Sequence, residues 1–346
     1  MLTFAGACFT VGQTAPPEVP VPDVSVSYMG LKLRNPLIVA ASSLTGTAAK
    51  LKRCEEAGAG AVVLKSLFEE QIEVQTAQLE KEGDYAHPEA ADYLRQFGLR
   101  LSQDQYLKLV KDAKASLSIP VIASLNGVSP RGWTAYAAKL AAAGADAIEL
   151  NIALLASNYE HNAADIEGTY LKIVQAIRAQ VKLPVAVKLG PYFTSLPQTA
   201  VALRRAGAAA LVLFNRFYQL DFDIEKLALA PGYHLSSPDE IHQSLRWIAL
   251  LSSEVGCDLS ASTGVHDGAG VVKMLLAGAK TVQLCSTLFL KGMGRLQECL
   301  KDLEAWMQRH GFAAIDDFRG KMSQEASPDP QLYERLQYIK VYVGLE

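Results

Sequence analysis

Four copies of Ala-Gly-Ala, centred on Gly58, Gly144, Gly207 and Gly278, constrain this chain more than any other feature of it. Each leads into a short apolar run with a polar end: 61–65 ending in Lys65, 147–151 in Asn151, 210–215 in Asn215 and 282–286 in Ser286. The tag reads as a helix terminus closed by glycine, which takes the left-handed cap at least cost, followed by a buried strand. Four more apolar runs lie between, at 37–41, 121–125, 185–189 and 259–262, and the first three follow Pro36, Pro120 and Pro184. Eight strands with helix-length amphipathic intervals imply right-handed crossovers and a parallel sheet covered on its outer face. Eight strands also close on themselves, so the predicted fold class is α/β, a single (β/α)8 TIM barrel with its active site at the strand C-termini.

The 346 residues, half of them hydrophobic, suit one such barrel with insertions. Residues 1–23 are small, polar and proline-rich and read as a flexible N-terminal arm; 24–325 form the barrel and 326–346 a C-terminal extension. Within the barrel, 24–34 alternates as an N-terminal β-hairpin turning near Met29-Gly30, placed to plug the barrel floor. Two connections exceed normal length, 67–118 after strand two and 216–254 after strand six, and long insertions after barrel strands shape or cover a site.

A net charge of -3 supplies neither a basic stripe for nucleic acid nor a polybasic membrane patch. No apolar stretch approaches membrane-spanning length and no secretory signal begins the chain, so a cytoplasmic location is expected. Five cysteines and six histidines show no metal-ligand spacing and no cluster for an iron–sulfur centre; any such electron relay would need a separate redox partner. His161 and His266 follow strand-end loops and read as surface helix positions.

The polar strand ends carry the chemistry. Lys65 and Lys188 sit in runs with no other charge, and burying an unpaired ammonium is costly, so each faces an anion, a polar ring or a carboxylate at the barrel mouth. A structural ion pair with a nearby glutamate satisfies the same pattern, as does an imine-forming lysine of a phosphate-binding lyase. Asn126, Asn151 and Asn215 end three strands and together suit a flat heterocycle with alternating carbonyls and N–H groups; singly, each equally fits a turn or a cap. Ser262-Thr263-Gly264 after strand seven and Cys285-Ser286-Thr287 after strand eight occupy the usual phosphate-binding loops of the barrel, or act as plain helix caps. No glycine fingerprint of a Rossmann site or a P-loop is present.

With these positions in hand, the chain resembles the dihydroorotate dehydrogenase family, particularly its soluble class 1 members. The resemblance runs from about 24 to 323 and includes Asn35-Pro36 through Ser42, Lys65-Ser66, Glu149-Leu150-Asn151, the run from Val187 to Phe193, Asn215, the strand-seven and strand-eight loops, and Phe318-Arg319-Gly320-Lys321. It implies an FMN enzyme that passes hydride from a dihydropyrimidine-like substrate to the flavin. Ala40 and Ala41 would border the flavin, Lys65, Asn151 and Lys188 would bond its ring or ribityl region, and Gly264, Ser286 and Thr287 would hold its phosphate. Ser66, Asn126 and Thr263 complete the expected cofactor-binding set. A cation beside the ring stabilises the reduced anion, which gives Lys65 and Lys188 a catalytic role.

On the substrate side the pattern departs. The family's catalytic cysteine in the loop after strand four falls on Leu154, which takes no proton; with a two-residue insertion, Ser157 becomes the substitute base and Asn158 the second asparagine of that loop. A family asparagine falls on Arg95 and a family serine on Arg216, and guanidinium groups select carboxylate or phosphate. The expected substrate-binding set is therefore Arg95, Asn151, Asn158, Asn215 and Arg216. A homodimer is a family expectation. The rival reading is a flavin-binding protein that has lost dihydroorotate activity and serves as a partner subunit.

Overall fold

A computed structural model describes residues 21–69, 103–127, 133–152, 154–216, 220–230 and 234–334. Eight parallel strands close into a ring: β3 (Leu37–Val39), β4 (Ala61–Val63), β6 (Val121–Gly127), β7 (Ala147–Ile152), β8 (Val185–Leu189), β9 (Ala210–Leu213), β12 (Asp258–Ser262) and β13 (Thr281–Leu284). Their order follows the sequence, and pairing of β13 with β3 and of β4 with β6 leaves no edge. These are the eight runs expected, wrapped by helices that include α1 (Ala48–Glu56), α2 (Gln103–Ser116), α3 (Trp133–Ala142), α4 (Ala163–Gln180), α5 (Leu196–Arg205), α6 (Ile241–Leu251), α7 (Gly268–Ala277), α8 (Ser286–Lys291) and α9 (Arg295–His310). The Ala-Gly-Ala tags do terminate helices: Gly58, Gly144, Gly207 and Gly278 all have φ near +100 to +114, or just below (98 at Gly144), the left-handed region where a Cβ is disfavoured.

The hairpin is β1 (Val26–Tyr28) paired antiparallel with β2 (Leu31–Leu33), and its turn residues Met29 and Gly30 both have positive φ, 54 and 79, as a two-residue turn of matching twist requires. Tyr28, Met29 and Leu33 pack with inward residues such as Ile38, Val63, Ile122 and Val212, so the hairpin plugs the N-terminal end of the barrel. The plug is pinned by the Met29 N–H, which donates to Asp258 Oδ2 at 2.7 Å.

Of the connection after β4, the described part holds β5 (Leu67–Phe68), which pairs with the upper half of β6, and α2; residues 70–102 lie outside the described residues. The connection after β9 carries a hairpin, β10 (Asp221–Asp223) with β11 (Ala228–Ala230), and then a single turn, Pro238–Glu240, ahead of α6. No helix among the described residues is long and apolar enough to cross a membrane.

Candidate active site

Successive strand residues point to opposite faces, so the inward face can be followed upward from the plugged floor. Ile122 is inward, and two and four residues on the same face carries Ser124 and Asn126; Ala147 leads likewise to Glu149 and Asn151, and Ala186 to Lys188. The lumen thus changes from apolar at the floor to polar at the mouth. That alternation was present in the sequence, in Ser124, Glu149, Thr281 and Gln283, but only the terminal polar residues of the runs stood out there.

At the C-terminal end of the barrel a narrow pocket of about 90 Å³ opens. Of the expected residues, Ala40, Ala41, Lys188, Asn215, Arg216, Thr263, Gly264 and Ser286 line it, together with Ser236 and Gln283, which sequence reasoning had not placed there. Lys65, Ser66, Asn126 and Asn151 are half-buried at the ends of β4, β6 and β7, on the other arc of the rim. The arcs are joined where Asn215 donates from Nδ2 to Asn151 Oδ1 at 2.9 Å. Ser66 and Ser124 share a hydroxyl–hydroxyl hydrogen bond at 2.8 Å, so Ser66 turns toward the lumen. Lys188 is 8 % exposed and donates from Nζ to Gln283 Oε1 at 3.1 Å. Its first partner is an amide, neither the glutamate of a direct ion pair nor a free position.

The loop after β12 places Thr263 and Gly264 in succession at φ 75 and 77. A β-branched residue there is strained, and Thr263 offsets part of the cost by donating from Oγ1 to the Phe214 carbonyl at 3.1 Å. Gly264 has no such latitude, since a Cβ on it would lie 2.1 Å from the Ile241 nitrogen. Thr287 is buried with its hydroxyl donating to the His266 carbonyl at 3.2 Å, so its side chain already serves the loop.

Several expectations change. The Arg216 guanidinium, expected to meet an anionic substrate, is gripped by Glu240 through Nε to Oε2 at 2.8 Å and Nη2 to Oε1 at 3.2 Å, and Nη1 donates to the His234 carbonyl. Burial raises the Glu240 carboxyl, but the bonds from Arg216 and the Ser237 N–H outweigh it and hold the group below the usual carboxylate range. His266 is not on a helix surface: it is 4 % exposed, beneath the 234–240 segment, with Nε2 3.1 Å from Ser236 Oγ. Burial, helped by Lys291, lowers its pKa, so the ring is neutral at pH 7. Ser157 and Asn158 are not brought to the Lys188 pocket. Their loop leaves the barrel after Ile152, whose carbonyl is held by Tyr170 Oη at 3.2 Å, and both residues are exposed in a separate groove shared with Leu154 and His161. Arg95 lies outside the described residues. Among the described residues no group of three His, Cys, Asp or Glu side chains is placed to hold a metal.

A closed β/α barrel with a cation, linked amides and hydroxyl loops around one pocket at its strand C-termini has the layout of a barrel enzyme acting on a small molecule. The sequence matches the dihydroorotate dehydrogenase family over residues 23–307, and the chain belongs to that family. It is similar to the catalytic subunit of dihydroorotate dehydrogenase B (NAD(+)) from Methanothermobacter thermautotrophicus, 28% identical over 313 residues, covering 86% of this chain and 97% of that protein. The same-named subunit of Methanocella arvoryzae is 32% identical over 269 residues, 75% of this chain and 85% of the relative. That of Methanosarcina mazei is 31% identical over 306 residues, covering 84% and 92%. The chain is a dihydroorotate dehydrogenase-like oxidoreductase acting on CH–CH bonds, and neither its fold nor these matches favour a catalytically silent alternative.

Proposed function

We propose that the chain is an FMN-dependent oxidoreductase that takes hydride from a dihydropyrimidine-like substrate, with the mouth pocket as its flavin site. The observation that carries this reading is the convergence of Lys188, Asn215, Ala40 and Ala41 with the Thr263-Gly264 and Ser286 loops on one cavity. The donor set fits the cofactor: a buried cation and amides for a polar ring, two small alanines where a flat ring needs room, and hydroxyl and backbone groups for a phosphate.

When bound, the flavin supplies the acceptor for hydride leaving one substrate carbon, while a proton leaves the neighbouring carbon and the C–C bond becomes double. Lys188 and Lys65 would supply positive charge to the ring, and the Asn151–Asn215 pair would offer amide groups to ring or substrate. Ser66 and Asn126 border the same rim, Thr263, Gly264 and Ser286 would form the phosphate wall, and Thr287 would support it from behind through its bond to the His266 carbonyl. Ser157 would take the carbon-bound proton only with its loop drawn over the mouth, and Asn158 would reach substrate in the same way. Arg216, held by Glu240, frames the pocket wall. Several relatives are named as catalytic subunits of an NAD(+) enzyme, which supports a separate redox partner for this chain.

Purified protein should be yellow and release FMN on denaturation, and anaerobic dihydroorotate should bleach it. A yellow protein that dihydroorotate leaves oxidised would move the substrate to another dihydro heterocycle; a colourless protein that takes up no added FMN would end the reading.

A further inference from the structure

Below the pocket, the lumen holds a bridge of three side chains. Lys188 on β8 donates to Gln283 Oε1 on β13 at 3.1 Å, and Gln283 donates from Nε2 to Glu149 Oε2 on β7 at 2.5 Å. In the ring of strands β13 and β7 stand opposite each other, so the glutamine amide reaches across the barrel to the glutamate. The three residues are 8, 3 and 1 % exposed. Glu149 Oε1 is buried without a hydrogen bond.

A buried ammonium needs an anion nearby, and a buried carboxylate needs a cation. Direct contact between them would cancel most of the field of the cation and occupy its donors. With one amide between, the lumen stays balanced, while Lys188 spends one of its three N–H donors downward and keeps the rest for the mouth. The amide orientation is set at both ends, since its oxygen must face the ammonium and its nitrogen the carboxylate.

We propose that Glu149 is the counter-ion of Lys188, held one amide away by Gln283, so that the positive charge is directed up into the ligand pocket. Glu149 and Gln283 are positioning residues that act through Lys188. What Lys188 faces rests on the flavin reading above; its pairing with Glu149 does not.

Two near-isosteric changes test this in the full-length protein, because they alter the lumen charge in opposite senses. Glu149→Gln removes the counter-ion: the Lys188 titration should move to lower pH, and the potential of bound FMN should rise because the anionic reduced ring gains. Gln283→Glu puts a carboxylate directly on Lys188: its titration should move up and the flavin potential should fall. A tenfold change in the preference for reduced over oxidised flavin corresponds to about 30 mV for a two-electron couple, which spectroelectrochemistry resolves. The Lys188 titration is read by NMR on lysine-labelled protein, with the signal assigned from Lys188→Gln. Potentials that shift in the same direction in both variants, or a Lys188 titration that neither variant moves, would overturn the proposal. Should Glu149→Gln not fold, Glu149→Asp, which draws the carboxylate away from Gln283, is read in its place with the same expected directions. A wild-type protein that binds no FMN would end the flavin reading alone, because the Lys188 titration still decides the counter-ion.

Discussion

Asn215, just past the end of β9, and Asn151, on β7, are joined over the intervening β8 by one amide–amide hydrogen bond of 2.9 Å at the rim of the barrel. The bond fixes which atom of each amide is left for a ligand: Asn215 keeps its oxygen and Asn151 its nitrogen. Their effects should therefore be coupled. Asn151→Ala and Asn215→Ala should each weaken substrate-driven flavin reduction, and a double-mutant cycle should show a coupling of about 1 kcal/mol, the usual scale of a neutral hydrogen bond. Strict additivity in stopped-flow reduction rates would show that the pair does not act as a unit.

Gly264 and Gly30 share nearly the same backbone angle, φ 77 and 79, yet differ in surroundings. A Cβ on Gly30 meets nothing within 4 Å, whereas on Gly264 it would strike the Ile241 nitrogen at 2.1 Å. Gly30→Ala should cost only the left-handed backbone penalty, about 1–2 kcal/mol. Gly264→Ala should exceed about 3 kcal/mol because backbone must also move. Chemical denaturation of the two variants side by side gives the comparison, and equal losses would mean that the α6 contact yields easily.

Acid stability should carry a signature of Glu55. Burial pushes its carboxyl up, but the bonds from Lys52 and from the Ser118 hydroxyl and N–H more than offset this and hold it at about 2, against 4.5 for an ordinary glutamate. The folded value is the lower one, so the stability it contributes is complete above pH 4.5 and is lost as pH falls toward 2. Glu55→Gln should lower stability at neutral pH and flatten the decline across that window, as followed by urea midpoints.

His266 should add a second limb at higher pH. Its pKa is lowered chiefly by burial from an ordinary 6.5, so the unfolded chain binds the extra proton first and stability falls as pH drops below 6.5. His266→Gln, which keeps a group able to bond Ser236, should remove that limb while leaving the one from Glu55. The histidine's burial was not legible in the sequence, because it depends on the 234–240 segment lying over it, and nothing local to His266 encodes that.

The barrel itself was legible for the opposite reason. Each strand is a local apolar run with a local stop signal, such as Gly144 before β7 or Pro184 before β8, and the closing number of strands follows from counting. Lys188 and Asn215 were legible because a charge or an amide ending a buried run has few places to go. The bridge from Gln283 to Glu149 was not, since their meeting depends on the stagger of strands from opposite sides of the ring. Nor was the path of the loop after β7, where the resemblance aligns residues but leaves their direction open.

That loop gives the sharpest separation between alignment and geometry. A serine can act as a base only when a neighbouring group takes its own proton and the substrate lies within hydrogen-bond reach. Ser157 is exposed, its N–H is engaged with the Leu155 carbonyl at 2.8 Å, and the groove it shares with His161 is distinct from the pocket holding Lys188. Ser157→Ala should therefore leave the rate of substrate-driven bleaching within about threefold, well short of the roughly 10²–10⁴-fold expected for loss of a true general base. Lys188→Gln should slow the same step strongly, since the shorter neutral amide removes the charge that faces the pocket. If instead the serine variant shows the large loss, the loop must fold inward over the mouth when substrate binds. The effect should then depend on pH in wild type and vanish in the variant, which a rate–pH profile of both proteins would reveal.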